Sequence, residues 1–328
     1  MNLRFAFFIV ILVGAPLMGP SPVLASPKET VWEAANLDVR TALDRGDTAA
    51  ALRAAEKAAD VAREAFGPAH MKTAVALKKL ADVQRLTGQP KQAAATLEKA
   101  GQNWSASLGT SHPYVSDVGA QAARDFAAAG DVESAVRTML RVIEGHKKYF
   151  GPGHTAVASA LQELARIERA AEREADALLH ERQAGEILYA ALGPAHPRVL
   201  EACLGIAGGL SAQGDLSTAR NEIKRVLARA VSDPAPPLRK LAEVWVLSGD
   251  LAFADRDVTA AESAYAAAEA LLDRAGDTAL PSERLALLYK QSELYRSLGR
   301  EDAAARTAEA AHRIEQQLQA APAAEPAA

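Results

Sequence analysis

The stretch FGPAH at residues 66–70 returns three more times along the chain, with small variations and at a constant interval. The copies read LGTSHP at residues 108–113, FGPGH at residues 150–154 and LGPAHP at residues 192–197. Successive copies are 42 residues apart, measured at His70, His112, His154 and His196. Self-similarity at a fixed period of this size indicates an array of stacked structural repeats, in which each unit contacts only its neighbours.

A second periodic feature lies between these loops and predicts where paired helices turn. It recurs every 42 residues, with one final interval of 43, at Gly46, Gly88, Gly130, Glu172, Gly214, Arg256 and Gly299. Each of these turn positions separates two stretches with helical periodicity, and glycine can adopt the left-handed conformation that ends a helix. The sequence therefore predicts a unit of helix, tight turn, helix and looser loop. Because Glu172 replaces a glycine, we expect its turn either to avoid a positive φ or to be strained.

Small side chains recur in phase with the turn positions. Five residues after them the sequence has only alanine, at Ala51, Ala93, Ala135, Ala177, Ala219, Ala261 and Ala304. Seven residues before them it has mostly small residues, namely Val39, Ala81, Ala123, Ala165, Ala207, Gly249 and Ser292. We predict that the two helices of a unit approach each other closely at these positions, because a larger side chain would push them apart.

The composition is that of an all-helical protein with few large side chains, since only 5% of its 328 residues are aromatic. The single cysteine, Cys203, excludes an intramolecular disulfide, and its apolar surroundings predict a small core residue rather than a nucleophile. The formal net charge of −4 argues against a nucleic-acid binder, which usually carries an excess of basic residues.

The first 25 residues have the pattern of a secretory signal peptide. Arg4 precedes an apolar run at residues 5–13, and residues 23–25 form a small-residue cleavage pattern ahead of Ser26. We predict cleavage before Ser26, no stable membrane insertion afterwards, and an exported protein that is periplasmic or secreted. The alternative is an uncleaved anchor, but a spanning helix needs about 20 apolar residues, and glycines and prolines interrupt this run from Gly14 onward.

The small residue, the turn glycine and the alanine five residues further on resemble the tetratricopeptide repeat (TPR). The 42-residue period with LGPxHP between units is similar to the kinesin light chain variety. The resemblance covers about residues 28–318 and implies an all-α fold, a right-handed superhelical solenoid of about seven antiparallel helix pairs. The usual unit has about 34 residues, and about eight more residues are two helical turns, so each helix is expected to be about one turn longer than usual.

Departures from the repeat predict the domain organisation. VSDPAPPL at residues 231–238 replaces the LGPxHP loop, and the last two repeats are expected to tilt against the others. We predict a signal peptide at residues 1–25, five regular repeats at residues 26–230, two divergent repeats at residues 231–318 and a disordered Ala/Pro tail at residues 319–328.

The sequence contains no recognisable catalytic or metal-binding constellation. Equivalent histidines in successive repeats lie at least one helix-packing distance apart, about 8–10 Å. They cannot share an ion whose ligands lie about 2 Å away, so we expect each ring to hydrogen-bond within its own loop. His180 and Glu181 begin an HExxH pattern, but Ala184 stands where the second ligand is required. We therefore predict no catalytic residues, no metal, no cofactor and no enzymatic activity.

The resemblance places the functional surface on the first helix of each pair, which lines a concave groove in TPR arrays. Groove positions lie three, six and ten residues before each turn, and their basic residues are Arg40, Lys78, Arg85, Arg124, Arg166 and Arg169. A basic groove suits a protein or peptide partner with an acidic segment or a C-terminal carboxylate, held by charge-assisted hydrogen bonds. The alternative is that these charges are solvated and pair with nearby carboxylates such as Glu163 or Asp82.

These features leave more than one function open. The first is a non-catalytic exported adaptor or scaffold that binds a protein segment, and no nucleic acid, in its groove. The alternative is a structural scaffold of the cell envelope that self-associates through its terminal helix pairs, which lack a neighbour on one face. A small-molecule binder or hydrolase, with its ligand near residues 205–214, is a third hypothesis.

Overall fold

The computed structural model describes residues 27–276 and 280–320, and in these ranges all regular secondary structure is helical. The helices follow one another as seven pairs. They are α1 (Pro27–Asp44) and α2 (Thr48–Phe66), α3 (Met71–Leu86) and α4 (Pro90–Leu108), α5 (Pro113–Ala128) and α6 (Val132–Phe150), α7 (Thr155–Ala170) and α8 (Glu174–Leu192), α9 (Pro197–Ala212) and α10 (Leu216–Ala230), α11 (Leu238–Ala254) and α12 (Val258–Ala275), and α13 (Pro281–Ser297) and α14 (Glu301–Ala320). The predicted all-α class is confirmed.

Each helix packs mainly on the helices before and after it in the chain, which makes the array a solenoid. The alternate helices that also pack directly on each other are all first helices of their pairs: α5 with α7, α9 with α11, and α11 with α13. Elements that come closer together lie on the inner side of a curved stack. The first helices therefore line the concave side, and the second helices form the outer side.

Two sequence-based predictions concern the ends of the chain. The predicted signal peptide at residues 1–25, with its cleavage site, lies outside the described residues. Of the tail predicted at residues 319–328, the first two residues belong to α14, which ends at Ala320, and residues 321–328 are again outside the described ranges. Among the described helices, none combines the length and the apolar character needed to cross a bilayer.

The repeated loops end one helix and begin the next. The loop glycine takes a positive φ with an extended ψ, a conformation that is essentially restricted to glycine, as at Gly67 (φ 95°, ψ 160°). The loop histidine is then the N-cap, and its Nδ1 accepts a hydrogen bond from the N–H two residues later. The four bonds are Lys72 N–His70 at 3.1 Å, Tyr114 N–His112 at 3.2 Å, Ala156 N–His154 at 3.1 Å and Arg198 N–His196 at 3.2 Å. The predicted role of these histidines within their own loops is confirmed.

The tight turns within the pairs adopt the left-handed conformation throughout. The turn glycines have φ between 67° at Gly299 and 82° at Gly214. Glu172 and Arg256 follow the same path at φ 61° and 62°, although both carry a side chain. The possibility that Glu172 avoids a positive φ is therefore wrong, and its backbone bears the strain that a Cβ causes in this region.

Replacing Glu172 by glycine is expected to stabilise the protein by about 0.5–1 kcal/mol, because the relief of strain exceeds the entropy that glycine loses on folding. Urea-induced unfolding monitored by circular dichroism measures the change. Glu172→Ala is the matched control, since alanine removes the carboxylate but keeps the Cβ. An equal gain in both variants would show that charge, and not backbone strain, is the cause.

The small residues are located where the two helices of each unit meet. The alanines five residues after each turn position are fully buried, apart from Ala304 at 3% exposure. The residues seven before each turn position are buried as well. Gly249 is the tightest case, because a Cβ added there would lie 2.4 Å from Cε1 of Tyr265 on α12. The prediction of close helix approach at these positions is confirmed.

Candidate functional site

The predicted groove residues lie on first helices, and most of them form ion pairs. Arg85 on α3 donates to Asp125 on α5 in a bidentate arrangement, with Nε–Oδ1 at 2.7 Å and Nη2–Oδ2 at 2.9 Å. Its Nη1 also lies 3.2 Å from Asp82, which in turn accepts from Lys78 at 2.9 Å. The hydrogen bond to Asp125 raises the pKa of Arg85 above its ordinary value. Because Asp125 is only 4% exposed, this pair connects the second and third units more firmly than an exposed pair would.

A second carboxylate cluster pairs with Arg169 on α7. Its Nη1 and Nη2 donate to the two oxygens of Glu181 on α8, at 2.8 and 2.7 Å, and its Nε to Glu174 at 3.3 Å. The hydrogen bonds to Glu181 are the main reason why the pKa of Arg169 rises. The next first helix, α9, has Gly205 and Gly209 against these carboxylates, where a Cβ would lie 3.5 Å from Glu181 and 3.3 Å from Glu174. Gly209 therefore makes room for Glu174, whereas a Cβ at Gly205 would make ordinary contact with Glu181.

Arg124 and Arg166, two more of the predicted groove residues, share one carboxylate. Arg166 lies 2.5 Å from Glu163 on the same helix, and Arg124 lies 3.8 Å from it across the interface with the third unit. Across α3, α5 and α7 the basic strip is thus accompanied by a matching set of acidic groups. In the structure these charges pair with neighbouring carboxylates, as the sequence-based alternative proposed. The residues paired in this way are Lys78, Arg85, Arg124, Arg166 and Arg169.

Arg40 differs from the other five predicted residues. Within the described ranges no carboxylate forms an ion pair with it, and it lines a cavity of about 560 Å³ between α1 and α3. We call this cavity the N-terminal groove pocket. Its lining residues are Trp32, Glu33, Asn36, Leu37, Val39, Arg40, Leu43, Lys79, Asp82, Val83 and Leu86.

The N-terminal groove pocket combines exposed apolar side chains with two cations. Leu37, Leu43 and Leu86 are large aliphatic residues that remain exposed. Lys79 points its ammonium at Asn36 Oδ1, 2.7 Å away. Its pKa is lowered, which reflects, first, the partial removal of the Lys79 ammonium from water and, second, the neighbouring positive charge of Arg40. Sequence reasoning missed Lys79 because it lies nine residues before its turn position, outside the three offsets considered.

Other reactive side chains are placed in ordinary structural roles. Cys203 is buried in α9, and this burial raises the pKa of its thiol to about 12, so the predicted core role is confirmed. His180 Nδ1 lies 2.7 Å from the buried carboxylate of Glu168. Among residues 27–276 and 280–320, no three His, Cys, Asp or Glu side chains are grouped closely enough to hold a metal ion.

Comparisons with known proteins agree with this architecture. A tetratricopeptide repeat family model matches residues 40–101. Among solved structures, the chain is similar to the nearly identical TPR-like repeats of a Podosopora anserina protein named for kinesin light chain, at 20% identity over 63% of this chain and 98% of that one, with a TM-score of 0.49. It is also similar to BtubC (BKLC) from P. vanneervenii, at 16% identity over 78% and 94%, with a TM-score of 0.48.

A third similar structure is a Rap protein complexed with Competence and Sporulation Factor, at 14% identity over 88% of this chain and 76% of that one, with a TM-score of 0.39. Repeats of the matched kind generally mediate protein–protein interactions, and their fold is typically non-catalytic. Residues 40–101 span parts of the first two helix pairs, and the same turns and buried alanines continue through α14. The tetratricopeptide repeat model thus matches residues 40–101, within a described fold that is a solenoid of helix pairs.

Proposed function

We propose that the protein is a non-catalytic exported adaptor that holds a segment of a partner protein in its concave groove. The observation that supports this most strongly is the N-terminal groove pocket, where Arg40 and Lys79 face the groove beside exposed leucines. Neither cation pairs with a carboxylate of the described residues, although Lys79 donates to the Asn36 amide oxygen. Each can therefore form a charge-assisted hydrogen bond with a ligand without first breaking an ion pair. Residues such as Arg85 and Arg169 would have to give up bidentate contacts to do the same.

The side chains that line the N-terminal groove pocket indicate which residues the bound segment should contain. An Asp or Glu side chain would reach Arg40 and Lys79, and an adjacent apolar side chain would cover Leu37, Leu43 or Leu86. Burying such a side chain contributes about 25 cal/mol for each Å² of apolar surface that is removed from water. Since Asp82 already pairs with Lys78 and Arg85, the acidic group that remains to oppose a negatively charged ligand at this pocket is Glu33.

Export and the lack of catalysis belong to the same proposal. The apolar run at residues 5–13 and the cleavage pattern before Ser26 support export to the periplasm or the medium. Cys203 is buried with a raised thiol pKa, and the loop histidines cap helices. These structural roles support a protein that binds a partner and does not catalyse a reaction. The regular stack, with its charged contacts between successive units, supports a rigid scaffold that presents one surface.

Crosslinked capture from an envelope extract, with the chain from Ser26 as bait, tests the proposed function. We expect a partner whose capture weakens steeply between about 50 and 500 mM salt, because screening shortens the reach of exposed charges. Capture that does not depend on salt would contradict binding through Arg40 and Lys79. Light scattering of the same protein provides the second test, since assembly into large oligomers in the absence of a partner would favour the self-associating scaffold instead.

A further inference from the structure

A second cavity lies on the opposite side of the solenoid from the groove. It has a volume of about 530 Å³ and is bounded by the second helices α4 and α6, with α5 beneath them. Its buried base consists mainly of Leu97, Val142 and Ser116, while the charged residues stand at the rim. A volume of this order matches sites that hold small organic molecules, which range from about 300 to 1,000 Å³. We call it the outer pocket.

Three glycines line the outer pocket, and packing explains two of them. A Cβ at Gly119 would lie 2.8 Å from Val142, and a Cβ at Gly145 would lie 3.0 Å from the Ser116 hydroxyl. At Gly101, by contrast, a Cβ would meet no atom within 4 Å. Glycine inside a helix costs about 0.5–1 kcal/mol relative to alanine. Packing therefore does not require glycine at position 101, and alanine there would be more stable.

Thirteen residues after the turn position, the first, third and fifth units have the buried side chains Ala59, Ile143 and Leu227. The fourth unit has Gly185 there, but a Cβ at Gly185 would lie only 3.0 Å from the side chain of Ile206, which occupies the space. The sixth and seventh units have exposed residues at this position. In the second unit this space is left open by Gly101 and forms part of the cavity. Among the first five units, this space is therefore open only at Gly101 of the second unit.

Ser116 supplies an independent polar feature in the base of the outer pocket. It is only 3% exposed, and its hydroxyl forms no hydrogen bond with any residue in the described ranges. The hydroxyl of a serine in a helix often donates a hydrogen bond to a carbonyl of the preceding turn, as Ser159 does to Thr155 at 3.1 Å. Because the Ser116 Oγ is reached from the cavity, a water molecule or a ligand there can pair with it, and the hydroxyl marks a hydrogen-bonding point in an otherwise apolar base.

The charges around the outer pocket are balanced. Glu98 on α4 accepts from Arg141 on α6 at 2.6 Å, and the Arg141 guanidinium is also held by Thr138 at 3.0 Å. Glu144 and Lys148 add one charge of each sign at the rim. The buried part of the lining carries no ionisable group, so a charged ligand would lose its hydration without compensation.

We infer that the outer pocket binds a small, uncharged and largely apolar molecule with one hydrogen-bonding atom that meets the Ser116 hydroxyl. This activity is separate from the proposed capture of a protein segment, because the two sites lie on opposite sides of the helix stack and share no residue. A substitution that abolishes binding at one site should therefore leave binding at the other unchanged.

Titration of the chain from Ser26 with N-phenyl-1-naphthylamine tests the inference. This dye is uncharged, fluoresces in apolar surroundings and carries a single N–H. We expect saturable binding of one dye molecule. Gly101→Leu should weaken this binding at least tenfold, because the new side chain fills the cavity, and should leave the melting temperature unchanged or higher. Ser116→Ala should weaken binding by about threefold to tenfold, the effect of losing one neutral hydrogen bond.

Gly208→Leu is the matched control, since Gly208 is also a helical glycine with open space around its Cβ, but it lies on the groove side. It should leave dye binding unchanged, and Gly101→Leu should leave partner capture unchanged. The inference is overturned if the wild-type chain shows no saturable binding, if Gly101→Leu binds the dye normally, or if Gly208→Leu abolishes binding to the same extent.

Discussion

Replacing Gly249 by alanine is expected to lower the free energy of unfolding by about 1–3 kcal/mol, the typical cost of inserting a group into a fully packed interface. The added Cβ would lie 2.4 Å from Cε1 and 2.6 Å from Cδ1 of Tyr265, far inside van der Waals contact. The tyrosine ring cannot move aside easily, because it is buried and its hydroxyl donates to Asp250 at 2.8 Å. Helices α11 and α12 must then separate. Urea-induced unfolding measures the loss.

A double-mutant cycle identifies the cause of this loss. In a Tyr265→Ala background the ring is absent, so Gly249→Ala should be neutral or slightly stabilising, since alanine favours a helix. Gly208→Ala, at a helical glycine with open space around its Cβ, should likewise not destabilise the protein. If Gly249→Ala costs the same with and without the Tyr265 ring, close approach of the two helices is not the reason for glycine at this position.

Reversing the two cations of the N-terminal groove pocket, with Arg40→Glu and Lys79→Glu together, is expected to weaken partner capture at least tenfold. Two attractions for an acidic segment become repulsions in the place where partial burial limits solvent screening. Neither side chain forms an ion pair with a carboxylate of the described residues, so folding should be little affected. Biolayer interferometry with the captured partner measures the affinity, and circular dichroism checks the fold.

Arg137→Glu is the control for this double variant. Arg137 is exposed on α6 at the outer side and contacts the hydroxyl of Ser134, 2.9 Å away. Its reversal changes the net charge by half as much as the double variant and leaves the groove unaltered, so capture should stay within a factor of about two. Equal loss in both variants would show that the overall charge, and not the groove pocket, governs binding.

The periodic features of the sequence predicted the fold well, because backbone geometry enforces them. A left-handed turn favours glycine, a helix start favours an acceptor such as the histidine ring, and a close helix contact favours alanine. These local requirements repeat every 42 residues and can be seen without coordinates. Glu172 and Arg256 show that the rule for the turn residue has exceptions. The packed helices hold both residues at a positive φ that their side chains disfavour.

The candidate site was less predictable, because charge pairing depends on distances between helices. Asp125 and Glu181, the main partners of Arg85 and Arg169, lie at other offsets and, for Glu181, on a second helix. Only the coordinates show that these pairs are occupied and that Arg40 stands apart from them. The outer pocket depends on a single open position, Gly101, which the sequence does not distinguish from the structurally required glycines.

Site-specific photocrosslinking tests partner binding in the groove most directly. A benzoylphenylalanine replaces either Leu37, which is 59% exposed in the N-terminal groove pocket, or Leu140, which is 47% exposed on the outer side. The two positions offer the same original residue and similar exposure. We predict crosslinks to a partner protein from position 37, lost at high salt, and few or none from position 140. Crosslinks from position 140 alone would contradict the assignment of the groove as the binding surface.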